Sequence, residues 1–193
     1  ASPLQLTVMT ARIASGRAVV PRILRAIGGK PVEMPQAEPL GISAASLRSI
    51  QDGMGEVMNS QRGTAFSSRI ADETMVLAGK TGTSQVRNIT AAERARGVVS
   101  NDDLPWNRRD HALYVGYAPF DNPRYAVTVV VEHGGGGSAA AAPIARDAIL
   151  RALYGEIPPL TAYPQNQRGR IETDLEALRQ RLRDTGATGN SRA

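Results

Sequence analysis

The first half of the chain repeats apolar residues at helical spacing twice. Leu6, Met9 and Ile13 recur every three or four residues between Pro3 and Ser15, which predicts an amphipathic helix. Ser2 stands at its N-cap, Pro3 at the first helical position, Gln5 at the capping-box position and Gly16 at the C-cap. Ser43 opens a second helix, with Leu47, Ile50, Met54, Val57 and Met58 on its inner face. Gly53 and Gly55 weaken that helix and permit close packing against a neighbour. Between the two, "RAVVPRILRAIGGKPVEMP" breaks short apolar pairs with Gly and Pro, which predicts a hairpin outside the main core.

The second half changes period. Residues 75–78 read as a buried strand running into "GKTGTSQV", and "RNITAAERARGVVSNDDLPWNRRD" reads as a long loop, a length that marks function or mobility. "HALYVGYAPF" and "RYAVTVVVEH" read as strands joined by the tight turn "DNP", hence antiparallel, and their near-continuous apolar character requires cover on both faces. After "GGGGS" a helix capped near Ser138 carries Ile144, Ala148 and Leu153 as inward candidates. The glycine run is either an anion-binding nest or a flexible connection; without an acidic residue at dinucleotide spacing, the plain connection is the preferred reading.

Residues 157–169 read as a linker. Thr173, with Glu176 at the capping-box position, then opens a short helix with the apolar stripe Leu175, Leu178 and Leu182, suited to docking or to a partner helix. The sequence therefore divides into a body, residues 1–156, and residues 157–193, a linker with a short amphipathic C-terminal helix. The body is expected to be an α/β protein of the α+β type, an antiparallel sheet packed with helices.

Composition narrows the chemistry. At 193 residues the chain has the length of one domain. No stretch approaches the roughly 20 apolar residues of a membrane span, and no signal peptide opens the chain. It starts with Ala1 inside what reads as a helix entrance, so a targeting segment is expected upstream. There is no cysteine, and the two histidines, His111 and His133, stand far apart in sequence, so neither a metal site nor any other cofactor is expected. The net charge of +5 comes from arginines spread along the whole chain with few aromatics; this describes a solvated basic surface rather than a nucleic-acid platform.

The segment "GKTGTS" invites comparison with a phosphate-binding loop. The first glycine of that pattern would fall at position 74, which is threonine, so the cradle is incomplete. A surface turn is the plain alternative. Yet Lys80 is one of only two lysines, with Lys30, in a chain that otherwise uses arginine. A lysine, unlike an arginine, can share or relay a proton near neutral pH.

"GKTGTSQV" followed by "DHALYVGYAPFDNPRYAVTVVVEHGGGGSAAAAPIARDAI" resembles the C-terminal part of the transpeptidase domain of class B penicillin-binding proteins. "ASPLQLTVMTARIASG" resembles the helix after that family's middle motif, and the similarity runs over roughly residues 1–155. The family's active site combines S-x-x-K, S-x-N and K-[ST]-G on an edge strand. Only the third occurs here: no serine of the chain has Lys three or Asn two residues later.

The resemblance implies a partial penicillin-binding-protein transpeptidase fold whose upstream half is missing, inactive alone for want of the nucleophilic serine. Lys80 would sit beside that nucleophile and attract the substrate carboxylate, Thr81 and Thr83 would hydrogen-bond the carboxylate, and Gly82 would let the acyl group lie along the strand. The N–H of Thr83 would be one of two oxyanion donors. The implied substrates are peptidoglycan stem peptides ending in D-Ala-D-Ala, with β-lactams as mimics. The implied partners are a polytopic glycan polymerase and elongation scaffold proteins, at the periplasmic face of the inner membrane, with anchorage through a missing N-terminal segment. "EHGGGGS" favours the elongation type over the division type, and a non-catalytic module gripping a peptide edge-on is the alternative from another class. If upstream residues supply further strands and helices, this chain should show an apolar face and an unpaired sheet edge.

Overall fold

A computed structural model describes residues 1–33 and 35–184. Its first helix, α1 (Pro3–Ser15), is closed as the sequence dictates: the Ser2 hydroxyl accepts from the Gln5 N–H, the Gln5 side chain accepts from the Ser2 N–H, and Gly16 ends the helix in the left-handed region at φ 67°. A two-residue hairpin, β1 (Ala26–Ile27) and β2 (Lys30–Pro31), stands exposed outside the core. Helix α2 (Ala44–Asn59) is capped by Ser43. The main sheet consists of β3 (Ala78–Ser84), β4 (His111–Ala118) and β5 (Tyr125–Val131), antiparallel in the order β3-β4-β5. Between β3 and β4 lies α3 (Ala91–Arg96); α4 (Ala142–Tyr154) and α5 (Arg168–Asp184) follow β5.

Alternation along the strands divides the core into two layers. Ala112, Tyr114 and Ala118 of β4, with Val127, Val129 and Val131 of β5, face α4 and α5. Tyr117 and Ala126 face the other way, with Ala78 of β3, toward Ala14 of α1 and Met54 of α2. The sheet is thus covered on both faces, as the apolar runs require. Small residues bring the layers close: Ala141 just before α4 and Ala142 and Ala145 on its inner face are fully buried. Tyr114 is fully buried as well, in a notch that Gly79 and Gly116 leave open. A Cβ at Gly79 would collide with the Tyr114 hydroxyl, and one at Gly116 would lie 2.7 Å from it. That hydroxyl has no hydrogen-bond partner among the described residues, and burial pushes its pKa upward. Burial likewise pushes Tyr117 and Tyr163 up to about 12.

Several sequence expectations need correction. In α1 the buried positions are Thr10 and Ala14, while Met9 is 44% exposed; the Thr7 hydroxyl donates to Thr128 of β5 at 2.8 Å, so the sheet is met by small and hydroxylated residues. Gly55 does allow close packing, since a Cβ there would lie 3.3 Å from Phe120, but Gly53 faces open space. The strand expected at residues 75–78 begins only at Ala78, after the short turn Glu73–Met75. Asn59 donates to the Leu77 carbonyl and Phe120 donates to the Val76 carbonyl, and these contacts fix the point at which the strand starts.

The loop at residues 87–110 is not featureless. It holds α3, capped by Thr90, and two short 3-10 turns, and it is clasped by a bidentate Arg87–Glu93 pair. That guanidinium holds the Glu93 carboxyl below its ordinary value.

A π-helical turn, Gly137–Ala141, precedes α4, and Ser138 makes no cap. The wider turn offsets the helix face. The buried set is Ala142, Ala145, Arg146, Ile149, Leu150 and Leu153, whereas Ile144 and Ala148 face outward. Arg146 is buried because its guanidinium is used on several sides: it bonds Asp147 and the Gln167 side chain and lies over the Tyr163 ring.

The stretch read as a linker packs into the core through Ala162 and Tyr163, joined by Ile171 of the following helix, and Ala71 donates to the Ala162 carbonyl. Helix α5 starts at Arg168, five residues before the expected cap, and Thr173 donates to the Gly169 carbonyl from inside it. Leu175 packs against the core as expected, and Leu178 is partly exposed. Leu182 lies outside the residues whose side chains are described.

Candidate active site

Strand β3 carries the candidate residues and is an edge: among the described residues β4 is its only partner, paired from Ala78↔Tyr117 to Ser84↔His111. The pleat distributes them. Lys80 and Gly82 lie opposite Val115 and Leu113 on the α1/α2 side, while Thr81 and Thr83 lie opposite Tyr114 and Ala112 on the α4 side. Four consecutive residues therefore straddle one edge rather than clustering on one face.

Each is held differently. The Lys80 side chain is exposed, and its Nζ donates to the Thr81 carbonyl at 2.6 Å. The Thr81 hydroxyl is paired with the Thr64 hydroxyl at 2.9 Å. Thr64 was not visible as a site residue in the sequence. Gly63 brings it there: a side chain at 63 would strike the carbonyls of Glu56 and Val57, so only glycine lets the chain double back over the end of α2. Thr83 is exposed.

The two strand glycines have different causes. Gly79 is required from within, by the Tyr114 hydroxyl and the Val115 carbonyl. Gly82 is not: a Cβ there would make only ordinary contact, 3.5 Å from Leu113 Cβ. Its bareness gains nothing for internal packing and leaves the strand open to an approaching backbone.

The Gly82 backbone is supported from behind. Gly137, in the run read as a flexible connection, is buried against it: a Cβ at 137 would strike the Gly82 and Leu113 carbonyls and lie 2.9 Å from the Gly82 nitrogen. The run is a packed corner, and glycine stands at 137 because two backbones meet there. At the far end of β3, His111 and His133 come together, with ring centroids 4.7 Å apart. Hairpin counting could have revealed this. The pairing Ala112↔Val131 places His111, the first residue of β4, beside those just after β5.

Residues 1–150 match the family described as the penicillin binding protein transpeptidase domain. The peptidoglycan D,D-transpeptidase MrdA of Haemophilus influenzae is 32% identical over 187 residues, covering 92% of this chain and 28% of that protein. Its Escherichia coli K12 counterpart is 33% identical over 140 residues, covering 69% of this chain and 21% of that protein.

Among solved structures, Pseudomonas aeruginosa PBP2 in complex with WCK 5153 superposes with a TM-score of 0.60 at 34% identity, over 85% of this chain and 34% of that one. The Helicobacter pylori complex between PBP2 and MreC gives 0.60 at 31% identity, over 80% of this chain and 25% of that one. The chain thus spans about a quarter of the length of these curated relatives. With the matched region covering both the helices and the edge strand that bears K-T-G, the chain belongs to the penicillin-binding protein transpeptidase domain family.

Proposed function

We propose that this chain forms one wall of the acyl-transfer cleft of an elongation-type peptidoglycan D,D-transpeptidase. Residues 1–156 would be the C-terminal part of that domain, and residues 157–193 a linker with a short amphipathic C-terminal helix. The observation that carries the reading is Gly82: a bare position on an exposed edge strand that the chain's own packing does not explain. A peptide laid antiparallel to β3 would pair with its backbone there.

Lys80 would present its ammonium to the nucleophile and to the substrate carboxylate from one side of the strand. Thr81 and Thr83 would offer hydroxyls from the other, with Thr64 orienting Thr81. The Thr83 N–H would be one donor to the developing oxyanion, a contribution typically of about 2.7–4 kcal/mol. The attacking serine and the S-x-N group would come from residues outside this sequence, so this chain alone is inactive.

The substrates would be stem peptides ending in D-Ala-D-Ala, with β-lactams as mimics that leave a stable acyl-enzyme. The family and the kinship to MrdA proteins support this class. The reported complex of a similar PBP2 with MreC supports an elongation scaffold as partner; a polytopic glycan polymerase would be the other. None of the described helices is long and apolar enough to cross a membrane. Placement at the periplasmic face of the inner membrane would therefore depend on an anchor elsewhere in the protein.

The test is labelling with a fluorescent penicillin, using this chain alone and then together with the polypeptide encoded upstream of it. The expected result is no label on the chain alone, and label on the upstream polypeptide in the mixture that Lys80→Ala abolishes. Stable label on this chain would overturn the reading.

A further inference from the structure

The chain leaves β5 through a corner that is unusually constrained. His133 turns it at φ 54°, a left-handed conformation uncommon outside glycine. Three contacts hold it there. Its backbone N–H donates to Nδ1 of His111 at 2.9 Å, its own Nδ1 is 2.8 Å from the Arg109 carbonyl, and its ring meets the Trp106 ring edge-on at 4.5 Å. A carbonyl only accepts, so Nδ1 of His133 carries the proton. A backbone N–H only donates, so Nδ1 of His111 is unprotonated and that ring is neutral.

The corner is tied further along its length. Gly134 donates to the Val131 carbonyl at 3.1 Å and Gly135 to the Asp110 carbonyl at 2.9 Å, while Asp110 donates its own N–H to the Asn101 side chain at 2.8 Å. Two residues on, Gly137 is seated against Gly82 with no room for a Cβ. From His111 to Gly82 the path runs through backbone atoms, with no flexible side chain to absorb a displacement.

We propose that His111 is a positioning residue for the Lys80–Thr83 strand: by accepting the His133 N–H, its neutral ring fixes the corner from which Gly137 backs Gly82. The significance for catalysis rests on the transpeptidase reading above; the coupling itself does not. A second proton on His111 removes the acceptor and sets two donors against each other, which releases the corner. The titratable group in contact with the ring is His133, at 4.7 Å between centroids; the charged residues that precede it in the chain are Arg108, Arg109 and Asp110, with Asp102, whose carbonyl Arg109 bonds. Glu132 stands on the corner itself, and the Arg87–Glu93 pair follows β3, whose Ser84 lies opposite His111.

The experiment is an amide NMR titration of the 193-residue chain across the range in which imidazoles gain a proton. The His133, Gly137, Gly82 and Thr83 signals should move together, with the same midpoint as the His111 ring. In His111→Asn, whose Oδ1 accepts without titrating, they should hold their neutral-pH positions throughout. In His111→Phe they should be displaced at every pH. Persistence of the Gly82 and Thr83 titration in His111→Asn, or its absence from the unmodified chain, would overturn the proposal.

Penicillin acylation of the chain combined with its upstream polypeptide gives the functional arm. His111→Phe should slow acylation about tenfold with little change in penicillin binding, and His111→Asn should restore it and flatten its acid limb. Normal acylation by His111→Phe would count against the proposal. Intact NMR coupling with no acylation by any variant would support the coupling and reject the transpeptidase reading.

Discussion

The two faces of the sheet are built to different standards. On the α4 side, Tyr114, Leu77, Ala112, Leu150 and Met58 are fully buried, and the C-terminal segment adds Ala162, Tyr163 and Ile171 to the same cluster. On the α1/α2 side the buried cluster is limited to Ala14, Met54, Ala78 and Tyr117. Larger apolar residues of these helices turn outward: Leu4 is 60% exposed and Ile50 44%. Leu4 and Met9 line an open groove with Pro21 and Leu40. One face is a finished core, and the other keeps apolar surface in water, as a wall with more protein to meet would. Lys80 and Gly82 lie on the second face.

The sharpest way to break this contrast is to truncate one residue on each side. Leu150→Ala should cost about 2–5 kcal/mol, because α4 cannot collapse onto the space left. Ile50→Ala should cost under about 0.5 kcal/mol in the same denaturant titration. Equal losses would mean that the open face is as well packed as the closed one.

The two glycines of β3 give the next contrast. Gly79→Ala drives a methyl group into the Tyr114 hydroxyl and should destabilise the chain by about 1–3 kcal/mol. Gly82→Ala meets only Leu113 at van der Waals distance and should leave the melting transition within about 0.5 kcal/mol of the original. Penicillin labelling of the combined polypeptides should nevertheless fall about tenfold or more.

The smallest effect lies on the closed face, where Tyr154 donates to Asp72 at 2.6 Å. This bond, ahead of those from Thr74, holds the Asp72 carboxyl below its ordinary value. A depressed carboxyl contributes stability that is present above its unfolded pKa of about 3.9 and is lost as pH falls through the folded one. Tyr154→Phe should therefore cost about 1 kcal/mol or less near neutral pH, given the partial exposure of the pair. The gap to the unmodified chain should close as the pH drops below about 3.9.

What the sequence made legible follows from how local each signal is. Caps decide helix starts through contacts three residues apart, so Ser2 and Ser43 marked α1 and α2 correctly. The β4–β5 hairpin followed from its turn and its apolar runs. The family was legible in the edge-strand motif and the long block after it. Thr173 failed as a cap because the packing of Ala162, Tyr163 and Ile171 lets the helix begin earlier, in a segment whose prolines suggested a linker. On the inner face of α4 Leu153 is buried as expected, but Ile144 and Ala148 face outward because a π turn shifts the phase, and buried Arg146 was not legible because its Gln167 and Tyr163 contacts lie on another segment. Thr64 and Gly137 were invisible because their partners are remote in sequence: Thr64 meets the Thr81 hydroxyl, and Gly137 packs against the backbones of Gly82 and Leu113.

The notch around Tyr114 also constrains how this sequence can drift. The phenol fills a space that exists only because Gly79 and Gly116 are both bare, so neither glycine can acquire a side chain while the tyrosine stands. Loss of the unpartnered hydroxyl, as in Tyr114→Phe, does not free position 79, because the ring carbon Cζ and the Val115 carbonyl would still strike a Cβ there. A residue next to the motif's lysine is thus kept bare by both a ring and a backbone carbonyl of the neighbouring strand, so a change at position 114 alone should not release it.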